Sequence, residues 1–131
     1  MEPEEVARRF CAAFDRKDIA AIEAILDEKV VKHTIGTERT VGRQAVLAAL
    51  ESVFGRFERV DFRITSLAAS SNTVLTERID EFTANGVVAP VPVMGTFEVS
   101  GGRIVAWRDY CDLALTKRLM AGEQVDSLLP G

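Results

Sequence analysis

Apolar residues in the first part of the chain recur every three to four positions. The clearest run consists of Ala7, Phe10, Cys11 and Phe14. This spacing predicts an amphipathic helix over residues 3–17. Asp18 is a good N-cap for a short second helix over residues 19–26. A third helix is predicted over residues 42–54, with Gly55 just past its end, where a left-handed residue is easiest to accommodate.

The rest of the pattern is typical of strands. A short strand is predicted before the loop at residues 36–40, and four longer ones follow the third helix, so that the predicted strands cover residues 28–34, 57–69, 73–83, 87–99 and 103–112. Asn85-Gly86 indicates a hairpin turn. Pro90 and Pro92 are compatible only with an edge, a bulge or a strand start. Residues 113–121 look helical, and Val125, Leu128 and Leu129 of the tail could pack on the body.

Helices followed by a meander of strands predict an α+β fold. We expect a cone-shaped, curved and mostly antiparallel sheet packed against three N-terminal helices. Such a sheet leaves a cavity, which is a ligand site by default. Residues 1–131 are too few for a second core of useful size, so one domain is expected.

Composition excludes several classes of function. The net charge of −4 argues against nucleic-acid binding, which needs a basic face. No apolar run approaches the ~20 residues of a membrane span, and the acidic N-terminus is unlike a signal peptide. Cys11 and Cys111 lie far apart in sequence, so reduced thiols are the default. A cytoplasmic, soluble protein is expected.

Few residue types are left to carry chemistry. The single histidine, His33, makes a zinc site with the two cysteines poorly supported, because no paired ligand spacing is present. His33 is more often a solvated strand residue than a catalyst. No serine lies in a nucleophile elbow. Catalysis must therefore come from carboxylates, arginine, lysine or tyrosine.

Three charged residues stand out on the predicted strands. Arg78 and Asp80 share one face of a strand, about 6.6 Å apart along the chain. Asp109 shares a face with Trp107 and Cys111, where an acid is costly to bury. If both acids face one pocket, Arg78 must offset their charges. This suggests an Asp–Arg–Asp site in an apolar cavity, although a purely structural ion cluster is the alternative.

The segments that carry these residues resemble those of a known family. Residues 76–80 (TERID), 94–99 (MGTFEV) and 107–112 (WRDYCD), together with Gly42-Arg43, are similar to the limonene-1,2-epoxide hydrolases. That family belongs to the SnoaL-like, nuclear-transport-factor-2-like superfamily. The resemblance extends from Ala7 to about Leu113.

The resemblance implies roles for individual residues. Asp109 takes a proton from a water that attacks the epoxide directly, protonated Asp80 donates to the opening oxygen, and Arg78 bridges the two acids. This agrees with the expectation that two carboxylates in one apolar pocket titrate as a coupled unit. No cofactor, metal or covalent intermediate is needed. Lys32 and Thr34 occupy the positions of the family's water-holding Tyr and Asn, and Lys32 could hold a water as a donor or pair with an Asp.

The resemblance also implies the pocket wall and the partners. The expected wall residues are Cys11, Phe14, Val53, Phe57, Phe62, Phe82, Val91, Val93, Trp107 and Cys111. A small apolar substrate and a homodimer formed through the outer face of the sheet are expected, with no nucleic acid and no membrane. Two alternatives to epoxide hydrolysis remain open. One is a SnoaL-like polyketide cyclase or ketosteroid-isomerase-like enzyme with an Asp base, and the other is a non-catalytic carrier of an apolar ligand.

Overall fold

The computed structural model describes every residue from Met1 to Gly131. Four α-helices and six strands follow one another along the chain, with one turn of 3₁₀-helix at Asp126–Leu128. In order they are α1 (Pro3–Asp15), α2 (Ile19–Ile25), β1 (Leu26–Thr34), β2 (Thr40–Val41), α3 (Arg43–Arg56), β3 (Arg59–Ser70), β4 (Thr73–Ala84), β5 (Val87–Ser100), β6 (Arg103–Tyr110) and α4 (Leu113–Met120).

All six strands form one curved sheet in the order β2-β1-β6-β5-β4-β3. Only β1 and β6 run parallel, and every other pair is antiparallel, so the predicted α+β architecture is confirmed. Pro90 and Pro92 lie in β5 opposite β4, on the stretch of β5 that has no partner in β6. They therefore occupy a local sheet edge, where a missing N–H costs no ladder bond.

The first helix buries its apolar face against the sheet. Phe10 is fully buried with its ring centroid 4.8 Å from that of Trp107, and Phe14 stacks on Phe62 at 3.7 Å. Pro3 opens this helix at a position where its missing N–H has no intrahelical partner to lose. One large apolar cluster thus joins α1 and α3 to the inner side of the sheet.

The third helix is longer than predicted at its C-terminal end. Gly55 does not follow the helix but lies inside its last turn with an ordinary backbone conformation. The helix continues to Arg56 and ends at Phe57, which is extended and donates its N–H to the carbonyl of Val53. Phe57 is then buried, with its ring 5.1 Å from Phe82.

The C-terminal segment returns to the body of the protein. Leu119 of α4 is buried in a second apolar cluster with Val91 and Val93 of β5. Val125 and Leu129 of the tail pack against this cluster, whereas Leu128 is 51% exposed and does not dock. No helix of the chain has the length and apolar character needed to cross a membrane.

Candidate active site

The sheet register places three charged residues of β4 and β6 on the inner face. Arg78 and Asp80 alternate along β4, and Asp109 lies on β6, two strands away. The intervening strand β5 contributes Gly95, which is opposite Thr76 on one side and Asp109 on the other. The Arg78 side chain can therefore cross β5 above Gly95 and reach the acid on β6.

Arg78 binds both acids through its guanidinium group. Its Nε and Nη2 donate to the two oxygens of Asp80, each at 2.9 Å, which is the bidentate geometry of a strong Arg–carboxylate pair. Nη2 also donates to Asp109 Oδ1 at 3.1 Å. Arg78 is fully buried, and the two carboxylate side chains are no more than 10% exposed. The three residues thus form one hydrogen-bonded unit with almost no access to bulk solvent.

Two uncharged side chains complete the hydrogen bonding of this unit. Thr76, which is fully buried, accepts from Arg78 Nη1 at 3.0 Å and donates to the carbonyl of Gly95 at 3.0 Å. The indole N–H of Trp107 donates to Asp109 Oδ1 at 2.9 Å. Asp109 Oδ1 therefore accepts two hydrogen bonds inside the protein, whereas Oδ2 accepts none.

Gly95 provides the space that the guanidinium needs. A Cβ atom at this position would lie 2.0 Å from Arg78 Nη1 and 2.6 Å from Asp109 Oδ1. Both distances are far below van der Waals contact, so no other residue type fits without displacing the charged groups. Sequence reasoning missed Gly95 and Thr76 because their role depends on the alignment of three strands.

Burial and charge shift the acid–base properties of the unit in opposite directions. Burial raises the pKa of Asp80 to about 6, against the hydrogen bonds and charge of Arg78, which lower it. Burial lowers the pKa of Arg78, but the Asp109 and Asp80 carboxylates outweigh this and hold it above its ordinary value. Arg78 therefore stays charged, and Asp80 can carry a proton near neutral pH.

The two acids face a cavity of about 250 Å³ that opens to solvent. Thirteen of its 19 lining residues are hydrophobic. The wall consists of Phe14, Lys32, Thr34, Thr40, Val46, Ala49, Leu50, Val53, Phe62, Asp80, Phe82, Val91, Val93, Trp107, Asp109, Cys111, Leu113, Thr116 and Met120. The arrangement can bind a small apolar molecule and present two carboxyl groups to it.

Lys32 and Thr34 lie on the same wall as the acids. β1 runs parallel to β6 with Lys32 opposite Trp107 and Thr34 opposite Asp109. Lys32 Nζ donates to Thr34 Oγ1 at 2.5 Å and lies 5.1 Å from the centre of the Trp107 ring. Burial lowers the pKa of Lys32, and the Asp109 carboxylate offsets only part of this.

Two residues expected on the wall lie elsewhere. Cys11 lies on the buried face of α1 and packs into the core, where desolvation raises the pKa of its thiol to about 12. Phe57 ends α3 and packs on Phe82.

Arg78 lies behind the two acids rather than on the wall. His33 turns away from the cavity, with Nε2 2.8 Å from the carbonyl oxygen of Thr37.

The wall also contains seven residues that sequence reasoning did not assign to it. They are Thr40, Val46, Ala49, Leu50, Leu113, Thr116 and Met120. Val46 and Leu50 share a helical face with Val53, so the spacing in α3 contained the signal. The contribution of α4 carried no such signal, because it depends on how the C-terminal segment folds back. No three His, Cys, Asp or Glu side chains lie together in a way that could hold a metal ion.

Comparison with known proteins identifies the family. The family model for the limonene-1,2-epoxide hydrolase catalytic domain matches residues 1–120. The epoxide hydrolase EphG of Mycobacterium tuberculosis is 32% identical over 104 residues, which are 79% of this chain and 69% of that protein.

Solved structures agree with this match. An LEH-like epoxide hydrolase from M. tuberculosis superposes with a TM-score of 0.83 at 30% identity, over 92% of this chain and 90% of the other. A proposed polyketide cyclase from Xanthomonas campestris superposes with a TM-score of 0.79 at 23% identity, over 92% and 95% of the two chains, which shows a shared fold alone. The chain belongs to the limonene-1,2-epoxide hydrolase family of enzymes.

Proposed function

We propose that this enzyme hydrolyses a small apolar epoxide by direct attack of water, with Asp109 as base and Asp80 as acid. The observation that carries the proposal is that one buried arginine joins two carboxyl groups at the wall of an apolar cavity. Two ionised carboxylates beside one cation would leave a net negative charge in an apolar site, so burial favours a state in which the pair holds one proton and one negative charge. One acid can then accept a proton while the other donates one.

Asp109 suits the role of base. Its Oδ1 is held by Arg78 and by the indole of Trp107, so Oδ2 is free to accept a proton from water. The two donors also fix the orientation of the carboxylate, and fixed geometry is what general base catalysis requires. The water attacks an epoxide carbon and gives one proton to Oδ2.

Asp80 suits the role of acid. Both of its oxygens lie 2.9 Å from nitrogens of Arg78, which holds the group in place. Its pKa, raised by burial to about 6, keeps a fraction of the molecules protonated at neutral pH. In those molecules the carboxyl proton passes to the epoxide oxygen as the carbon–oxygen bond breaks.

Lys32 and Thr34 would hold the attacking water together with Asp109. The two side chains are hydrogen-bonded to each other and lie on the strand beside Asp109. A neutral lysine amine can accept a hydrogen bond from the second O–H of the water, and that hydrogen stays on the oxygen as part of the new hydroxyl group. The lowered pKa of Lys32, which follows from its burial, favours that neutral form.

The cavity limits the size of the substrate. An apolar cavity of ~150 Å³ holds benzene, so the 250 Å³ found here suggests a buried portion of about ten non-hydrogen atoms. Apart from the acids and Lys32, most of the wall offers no polar contact. The substrate is therefore an epoxide on a small hydrocarbon skeleton.

The proposal is tested with Asp109→Asn and Asp80→Asn. Each change should abolish diol formation from a panel of small apolar epoxides, because it removes the base or the acid. Asparagine has nearly the same shape as aspartate, so thermal unfolding should remain cooperative. Asp126→Asn, at an exposed position of the tail, is the matched control and should retain full activity. Epoxide turnover that survives both site changes would disprove the assignment.

A cyclase or isomerase chemistry is the second candidate, favoured by the amine of Lys32 beside Asp109. An Asp base could remove an acidic C–H proton while Lys32, which lines the cavity, stabilises the enolate. Such chemistry needs no attacking water. Product analysis with parallel panels of epoxides and enones separates the two candidates, since only hydrolysis produces diols.

We also infer a homodimer formed through the outer face of the sheet. Leu75, Met94 and Tyr110 are 46–49% exposed on β4, β5 and the end of β6, and Met94 and Tyr110 are directly paired. Large apolar side chains that lie together on an exposed face are typical of association surfaces.

A further inference from the structure

Lys32 is unlike the other lysines of the chain. It is partly buried on the wall of the apolar cavity and forms no ion pair, because both nearby acids pair with Arg78. Lys17 donates to the backbone carbonyls of Phe54, Phe57 and Glu58. Lys29 and Lys117 are exposed. Only Lys32 therefore combines a desolvated amine with an adjacent space that a small molecule can enter.

We propose that Lys32 binds small apolar aldehydes and ketones covalently, as a reversible imine. This goes beyond epoxide hydrolysis and needs no epoxide. Lysines that form imines in enzymes lie in apolar surroundings, where the neutral, nucleophilic amine is favoured. The same apolar wall that would bind a hydrocarbon epoxide accommodates a carbonyl compound of similar size.

The neighbouring acids supply the proton transfers that imine formation needs. The Lys32 lone pair forms a bond to the carbonyl carbon, and the carbonyl π electrons move to oxygen, which takes a proton from Asp80. The nitrogen gives one proton to Asp109, which yields a neutral carbinolamine. Asp109 then returns that proton to the hydroxyl group, the carbon–oxygen bond breaks, and water leaves as nitrogen forms the double bond to carbon.

The charges of the final state are balanced. The imine nitrogen keeps one proton and carries a positive charge, as does Arg78, and both carboxylates are then ionised. Two cations thus face two anions in a poorly solvated site, which is far less costly than an unpaired charge. Lys32 is the amine nearest to this arrangement, since β1 places it opposite Trp107, whose indole binds Asp109.

Reductive trapping tests the proposal. The full chain is incubated with benzaldehyde and sodium cyanoborohydride at neutral pH, and the benzylated lysines are identified by peptide mass spectrometry. We expect Lys32 to be labelled several-fold faster than Lys29 and Lys117, because it lies beside the cavity that binds the aldehyde and its buried amine is less readily protonated. Labelling of Lys32 that is absent, or no faster than that of Lys29, would overturn the proposal.

Two comparisons show whether the cavity is responsible. Glyoxylate, a small charged aldehyde, should lose the preference for Lys32, because the apolar wall does not bind it. Lys32→Arg should abolish the preferred adduct, since a guanidinium forms no stable imine, whereas Lys29→Met should leave it unchanged. A preference for Lys32 that persists with glyoxylate would contradict the role of the cavity.

The result is independent of the hydrolase proposal. The adduct is detected without an epoxide, and diol formation is measured without an aldehyde. An adduct with no epoxide turnover in any panel would disprove hydrolysis alone, and turnover with no adduct would disprove imine formation alone. The thiol of Cys111, which also lines the cavity, does not confuse the assay because its aldehyde adduct is not reduced to a stable product.

Discussion

Replacing Gly95 by alanine would test whether the three charged residues act as one positioned unit. The added Cβ would lie 2.0 Å from Arg78 Nη1 and 3.0 Å from its Cζ. An ordinary contact is ~3.5 Å, so the guanidinium must move by about 1.5 Å. Such a shift breaks its hydrogen bonds to Thr76 and Asp109, which are 3.0 and 3.1 Å long.

The expected effect of Gly95→Ala is large in both stability and rate. Leaving a buried charge without its partner costs about 3–5 kcal/mol, and a displacement of ~1 Å at a catalytic group costs about a hundredfold in rate. We therefore expect a loss of at least about a hundredfold in kcat/KM for an epoxide substrate. Turnover is measured as diol formation, and stability by urea unfolding.

Gly55→Ala is the matched control. Gly55 lies in α3, and a Cβ there meets nothing within 4 Å. This change should leave turnover unaltered and stabilise the protein by about 0.5–1 kcal/mol, because glycine is a poor helix former. A Gly95→Ala variant with normal stability and normal turnover would refute the inference that the arginine must pass over this position to reach Asp109.

Three further predictions follow from the geometry. Asp80 acts in its protonated form, and its pKa is raised to about 6. In a pH–rate profile, kcat/KM should therefore fall by about tenfold per unit of pH above that value. A kcat/KM that is constant from pH 6 to 8 would exclude Asp80 as the acid. Thr76→Val keeps the shape of the side chain but removes the acceptor for Arg78 Nη1, so the free energy of unfolding should fall by about 1–3 kcal/mol. An unchanged urea unfolding curve would contradict this. Met94→Glu places a charge beside Tyr110 on the outer face of the sheet and should produce a monomer by analytical ultracentrifugation, whereas a dimer that persists would locate the interface elsewhere.

The sequence was sufficient to predict that the three charged residues share a pocket, but it did not reveal which residues hold them in position. Strand alternation put Arg78 and Asp80 on one face, and the apolar neighbours of Asp109 indicated that it points inward. The strand that lies between Arg78 and Asp109 is set by the order of strands in the sheet, which the local sequence pattern does not reveal. Gly95 and Thr76 were therefore unpredictable from local pattern, since their contacts join strands that are distant in sequence.

The errors in the predicted wall have similar physical causes. Cys11 and Phe14 lie on the same apolar face of α1, but only Phe14 lines the cavity, whereas Cys11 belongs to the packed core. Phe57 was expected on the wall, yet it serves as the buried end of α3. Leu113 reaches the cavity because α4 folds back along β5, and its side chain lies against Gly36 of the loop after β1.

The central claim is that water attacks the epoxide directly, with the two acids only transferring protons. A single turnover in H₂¹⁸O, with enzyme in excess over substrate, tests it most directly by mass spectrometry of the diol. Direct attack predicts that the diol of the first turnover carries one ¹⁸O atom and that the protein carries none. An unlabelled diol, with ¹⁸O found in the carboxylate of Asp109 or Asp80, would show attack by the enzyme itself and contradict the account.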